Sequence, residues 1–167
     1  MNRKPLVEEH TTESESDTLA LARRFAGMLK RGDVVALHGE LGTGKTRFVK
    51  GICAAFGADD HVSSPSFVIL NRYEGRDHTR KPLYFYHLDL YRVQSIEEIY
   101  DLGYEEFAYA ENITLIEWSE HLGNLMPAKR FDVRLSYGDE IDQRRISIQW
   151  VEEPTRSGVS GKAVSRA

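Results

Sequence analysis

The period of apolar positions changes several times along the chain, and each change predicts an element. From Ser16 or Asp17, either of which can cap a helix, Leu21, Phe25, Met28 and Leu29 recur at helical spacing as far as about Lys30, and Gly32-Asp33 turns the chain. Val34-Val35-Ala36-Leu37 is a short unbroken apolar run, the mark of a buried strand, and Thr46 to Phe56 returns to helical spacing until Gly57 stops it. FVILNRYE (67–74) and LYFYHLDLYR (83–92) are rich in β-branched and aromatic residues and read as strands, with a turn region between them. Ser95-Ile96-Glu97-Glu98 is a capping box for a helix ending at Leu102-Gly103, and Glu105 to Tyr109 suits a further short turn. ITLIEW (113–118) reads as a central strand. FDVRLSY (131–137) and RRISIQWV (144–151) alternate apolar with polar around GDEIDQ, the pattern of an outer hairpin.

The two ends lack any such period. Residues 1–12 read as a loose arm, and residues 152–167, small, polar and Gly/Ser-rich, as a disordered tail. What lies between, 13–151, is expected to be one α/β domain: a three-layer sandwich on a mixed sheet, parallel at the centre and antiparallel at the edges. No internal repeat interrupts it.

Composition narrows the class. A chain of 167 residues with 41% hydrophobic and 29% charged residues is long enough for its own core. No apolar run approaches the roughly twenty residues of a membrane span, and MNRKPLVEEHTTESESD is too acidic and polar for a signal peptide, so a cytoplasmic location with no membrane partner is expected. Cys53 is the single cysteine, on an apolar helix position, which suits a small core residue in a reducing compartment. A formal net charge of −4 argues against a chain that grips a phosphate backbone directly. Nucleic acid, if involved, is expected to arrive on a partner.

GELGTGKT (39–46) carries the candidate chemistry. Its glycines, Gly39, Gly42 and Gly44, let the backbone turn tightly and approach a ligand, with Glu40, Leu41 and Thr43 between them. Lys45 and Thr46 open the following helix, whose first N–H groups and positive dipole end face an anion. In this reading Lys45 reaches the outer phosphates of a nucleotide and the Thr46 hydroxyl holds Mg²⁺. Strand, loop and helix in that order are the context the motif requires.

A magnesium ion on Thr46 needs further oxygen ligands, usually an acid at the carboxyl end of a neighbouring strand. Glu117 ends the run 113–116. Asp89 shares one face of its strand with His87 and Tyr91. Each is equally readable as a satisfied structural carboxylate. Ser64 and Ser66, in SSPS, offer hydroxyls to a phosphate or a water, yet in isolation they describe a Ser/Pro turn. His87 suits a packed core histidine as well as a base, and Trp118 either a purine stack or core.

GELGTGKT, SSPSF, HLDLYR and IEWSEHL, in this order and spacing from about residue 13 to residue 150, resemble the bacterial TsaE family, also called YjeE. The resemblance implies a P-loop NTPase-like fold and an ATPase of tRNA threonylcarbamoyladenosine biosynthesis. Such an ATPase is weak alone and works with the TsaB and TsaD proteins, meeting tRNA only through that complex. It implies ATP and Mg²⁺ as ligands, Gly39 through Thr46 as the phosphate loop with Arg47 beside it, and Thr46, Glu117 and Asp89 around the metal. Asp89, Glu117 and Lys45 become the catalytic set, Ser64-Pro65-Ser66 a nucleotide-sensing loop, and Glu15 a residue near the adenine. The chain departs from the family's common pattern at Ser66 (commonly Thr), Leu88 (commonly Phe) and Arg47 (commonly a small hydroxyl residue). None removes a proposed ligand. Two other classes remain open on the residues: a small-molecule kinase, which needs an arginine-bearing lid, and a nucleotide-gated adaptor without catalysis.

Overall fold

Val34–His38 (β2) is buried from its first residue to its fourth, as its unbroken apolar run requires, because it is covered on both faces and paired on both edges. The computed structural model describes residues 3, 6–58, 62–65, 67–108 and 110–154. The remaining elements are β1 (Val7–Thr12), α1 (Glu15–Ala26), α2 (Lys45–Ala55), β3 (Leu70–Arg76), β4 (Pro82–Asp89), α3 (Ile96–Asp101), α4 (Tyr104–Ala108), β5 (Ile113–Glu117), a 3₁₀ segment (Ser119–Leu125), β6 (Lys129–Tyr137) and β7 (Arg144–Glu152). They build a single α/β domain around a seven-stranded sheet of order β1-β7-β6-β2-β5-β4-β3. The four middle strands β6, β2, β5 and β4 run parallel, while β3, β7 and β1 add antiparallel edges.

Alternation along the central strands feeds two separate cores. Val35, Leu37, Phe85, Leu115 and Phe131 join Leu21, Phe25, Phe48 and Ile52 of α1 and α2 in one cluster. Val34, Leu88 and Ile116 join Ile99, Tyr104, Phe107 and Leu122 on the opposite face. Phe25 meets Phe131 edge-on with ring centroids 5.0 Å apart, and Tyr86 stacks on Phe107 at 4.9 Å. The expected three layers and mixed sheet are therefore the observed ones.

Several boundaries differ from the expectation, each for a local reason. The first helix is capped by Ser14, whose hydroxyl accepts the Asp17 N–H at 3.1 Å, and it ends at Ala26 against Gly27. Residues 67–69 are not strand. The N–H groups of Val68 and Ile69 turn back to the Pro65 carbonyl at 3.0 and 2.6 Å, and Ile69 takes φ 66°, so pairing starts only at Leu70. The expected loose arm is corrected most: Val7–Thr12 is an edge strand, antiparallel to β7 and partnered by its backbone from Val7↔Gln149 to Thr12↔Arg144. Its alternating exposure comes from a polar sequence, so no apolar period announced it. At the other end Glu152 is still in β7 and the Glu153 N–H donates to the Ala128 carbonyl, so the expected tail starts later than 152. Its remainder from 155 lies outside the described residues. No helix among the described residues is long and apolar enough to cross a membrane.

Candidate active site

The parallel strands end together, and that end carries the chemistry. β2 leads into residues 39–44, and α2 begins at Lys45 after Gly44, which caps it in the left-handed region (φ 101°) without a side-chain hydrogen bond. The first intrahelical bond runs from the Phe48 N–H to the Gly44 carbonyl, so the donors of Lys45, Thr46 and Arg47 precede the helical ladder. That is the geometry of an anion site. Gly39 lies so close to β6 that a Cβ there would sit 2.3 Å from the Leu135 carbonyl oxygen, a contact only glycine avoids.

Lys45 folds back within this loop. Its ammonium donates to the Gly39 and Glu40 carbonyls at 2.7 and 2.8 Å and lies 4.1 Å above the ring centre of Trp118. Burial lowers its pKa, against the opposing pull of Glu117, Glu120 and Asp89. Thr43 is fully buried, with its hydroxyl donating to the Glu40 carbonyl at 2.8 Å. The hairpin β6–β7 reaches over to the same loop, where the Tyr137 hydroxyl donates to the Leu41 carbonyl at 2.6 Å.

The two acids meet because β4 and β5 pair in parallel with Asp89 opposite Glu117. Both are nearly fully buried, at 4% and 3% exposure. Glu117 Oε1 accepts the Thr46 hydroxyl at 2.8 Å and lies 2.8 Å from His87 Nε2. Asp89 accepts the Ser64 hydroxyl on Oδ2 and the Tyr91 N–H on Oδ1 at 3.0 Å. Both carboxylates, Ser64, Trp118, Glu15 and the loop residues Leu41, Gly42, Gly44, Lys45, Thr46 and Arg47 line one open cavity of about 540 Å³. Gly39 and Glu40 are not among its lining residues; their carbonyls hold the Lys45 ammonium. Thr43 faces a smaller neighbouring cavity of about 70 Å³ with Glu15, Arg47 and Arg144.

A mixed α/β sheet, a glycine-bearing turn from a strand into a helix and an acid bonded to that helix's first hydroxyl define a narrow class. The family described as Threonylcarbamoyl adenosine biosynthesis protein TsaE matches residues 12–146. The chain belongs to the TsaE family. Among curated relatives, the tRNA threonylcarbamoyladenosine biosynthesis protein TsaE of Rickettsia bellii is 43% identical over 136 residues, 81% of this chain and 90% of the relative. The protein of the same name from Bacillus subtilis is 33% identical over 137 residues, 82% of each. The crystal structure of YdiB from Bacillus subtilis superposes with a TM-score of 0.71 at 28% identity, covering 90% of this chain and 89% of that one. The fold is thus the P-loop NTPase sandwich of the TsaE family.

Every predicted site residue among the described ones falls inside the TsaE match, although Ser66 lies outside the described residues. Glu15 sits at the cavity margin, where its carboxylate pairs with Arg47 at 2.6 Å. Arg92 stands apart, its guanidinium 4.6 Å over the exposed Phe67 ring. Three contributors were not singled out from sequence: Tyr137, Tyr73, whose hydroxyl lies 3.3 Å from His87 Nδ1, and the contact of His87 Nε2 with Glu117. Alternation placed His87 on the face of Asp89, but the strand register that sets it beside Glu117 has no local signal.

The donor set tests well against a magnesium nucleotide. Thr46 and Glu117 offer hard oxygens of the kind magnesium takes, and the uncapped start of α2 is of the kind that suits phosphate. Among the described residues no group of three or more His, Cys, Asp or Glu forms a metal cage. Oxygens from a bound phosphate would have to complete the shell, as is usual for magnesium.

Proposed function

We propose that the chain binds Mg–ATP in this cavity and hydrolyses it as the ATPase component of tRNA threonylcarbamoyladenosine biosynthesis, acting in the cytoplasm with the TsaB and TsaD proteins. The observation that carries the reading is the 2.8 Å bond from the Thr46 hydroxyl to Glu117 at the mouth of the phosphate loop. It joins the two oxygens that a magnesium ion would share.

In this reading the first N–H groups of α2 take the β-phosphate. Lys45 swings from the Gly39 and Glu40 carbonyls to the outer phosphates, exchanging two neutral acceptors for charged ones. Thr46 and Glu117 hold magnesium, which when bound supplies neutralisation of the triphosphate charge. Asp89, fixed by Ser64 and the Tyr91 N–H, orients the attacking water. Phosphoryl transfer is governed by positioning and charge, and P-loop enzymes commonly borrow a cation for the transition state from a partner. Arg47 is occupied by Glu15, and Arg92 lies over Phe67. A partner therefore completes the site, and hydrolysis resets the complex between turnovers. With a net charge of −4, the chain meets tRNA through TsaB and TsaD.

The test is reconstitution. ATP hydrolysis and tRNA modification are measured with the purified chain alone, with TsaB and TsaD, and with Glu117→Ala in place of the wild type. Hydrolysis should rise at least about tenfold with both partners and fall by about a hundredfold in the variant, the range for losing one charge-stabilising group. Equal hydrolysis with and without partners would overturn the partner-dependent reading. Undiminished tRNA modification by Glu117→Ala would make the chain a nucleotide-gated adaptor.

A further inference from the structure

His87 is completely buried and its two ring nitrogens face different parts of the site. Nε2 lies 2.8 Å from Glu117 Oε1, and Nδ1 lies 3.3 Å from the Tyr73 hydroxyl. The Tyr73 hydroxyl also lies 3.0 Å from the Ser63 carbonyl, and it accepts from the Asn71 side-chain amide at 3.3 Å and from the Ser63 N–H at 3.4 Å. Ser64, the next residue, donates to Asp89. One short segment is thus tied to both acids: directly to Asp89, and through Tyr73 and His87 to Glu117.

Proton counting shows how the second tie works. An ionised carboxylate only accepts, so Nε2 carries the hydrogen shared with Glu117, and in a neutral ring Nδ1 is then an acceptor. Tyr73 has one hydrogen and two acceptors, Ser63 O and His87 Nδ1. It serves one fully only by leaving the other. When the Ser63 carbonyl holds the Tyr73 hydrogen, the ring is held through Nε2 and Glu117 alone. When the segment withdraws, the hydrogen passes to Nδ1 and the ring is locked with its N–H on Glu117.

We infer that His87 is a positioning residue for the Glu117 carboxylate, and that Tyr73 couples its hold to the Ser63–Ser64 segment by competition for a single hydrogen. This rests on Glu117 being the magnesium-side acid. Groups that hydrogen-bond a ligating carboxylate typically change metal affinity by about 10–100-fold when removed.

Two readouts test it, neither of them turnover. The first is the gain in ATP affinity on adding Mg²⁺, by calorimetry with and without EDTA. The second is amide hydrogen exchange at Ser63 and Ser64 in nucleotide-free protein. His87→Phe, which fills the volume without a donor, should cut the Mg²⁺-dependent gain about tenfold while leaving Mg²⁺-free affinity unchanged. His87→Gln, which keeps an N–H for Glu117 but offers nothing at the Nδ1 position, should restore the gain and slow exchange at Ser63–Ser64, because Tyr73 then serves Ser63 alone. Tyr73→Phe should speed that exchange. Opposite signs for the last two variants are the signature of competition, since mere loss of packing loosens the segment in both. If His87→Phe fails to fold, the Gln and Phe variants at 87 and 73 decide the matter. Faster exchange in His87→Gln, or an unchanged Mg²⁺ gain in a folded His87→Phe, would overturn the inference and leave the ATPase reading intact. A wild-type chain with no Mg²⁺-dependent gain would remove both.

Discussion

Lys45 shows how a single residue can cost the fold what it contributes to the site. Its ammonium is enclosed by two carbonyls and an indole ring, and burial lowers its pKa. A lowered lysine pKa means that the unfolded chain binds the proton more tightly. The charged group therefore opposes folding at neutral pH, and stability rises with pH just below the ordinary lysine value of about 10.4. Lys45→Met, similar in length and without charge, should raise the stability of the free protein by about 1 kcal/mol. On the proposed function Mg–ATP raises the melting temperature of the wild type, and the same change should abolish that shift. Melting curves of both proteins with and without nucleotide check this, and a lowered melting temperature for the variant would contradict it. The glycine turn into α2 was legible in the sequence because backbone geometry within eight residues sets it. The bonds from Lys45 to the Gly39 and Glu40 carbonyls were not, since the motif's spacing does not say where a long side chain folds.

At the scale of elements, α2, which follows the glycine loop 39–44, packs closely against α1. Gly51, in the middle of α2, lets the two helices close up: a Cβ there would fall 2.6 Å from the Ala22 Cβ and 2.8 Å from the Leu19 carbonyl. Neither neighbour is a flexible chain end that can yield. Gly51→Val gains a few tenths of a kcal/mol in helix propensity and loses more to overpacking, for a net loss of about 2 kcal/mol. Urea unfolding measures it, and unchanged stability would show that the helices can part freely. Sequence periodicity found both helices and most strands, because burial of one face imposes period 3.6 or 2. It missed β1, whose partner is the backbone of β7, and it began β3 three residues early, because a Pro65-centred turn overrides the β-propensity of Phe67, Val68 and Ile69.

For the molecule as a whole, acid should be the destabilising direction. Burial alone would raise the Asp132 pKa, but hydrogen bonds from His38 and Arg130 outweigh it and the net shift is downward. The Thr79 hydroxyl and Arg31 hold Asp77 well below the usual carboxylate range, and Lys129 lowers Glu152. Carboxylates depressed in the fold contribute stability that is fully present above their unfolded pKa, near 4, and is lost as pH falls through the folded value. Urea midpoints should therefore drop between about pH 5 and pH 3. Asp132→Asn should flatten that drop while costing about 3 kcal/mol at neutral pH, because Arg130 loses a buried partner. A profile unchanged by the substitution would assign acid sensitivity to other groups. The division of labour between sequence and structure follows from range. Local spacing by itself determined the glycine loop between β2 and α2, the helical and strand periods and the two eligible acids, since each depends on neighbours a few residues away. Only the tertiary structure decided that Asp89 faces Glu117 across adjacent strands, that Glu117 bonds Thr46, and that Tyr73 and His87 tie it to Ser63. Those meetings depend on strand order and register, which arise from the whole core closing at once.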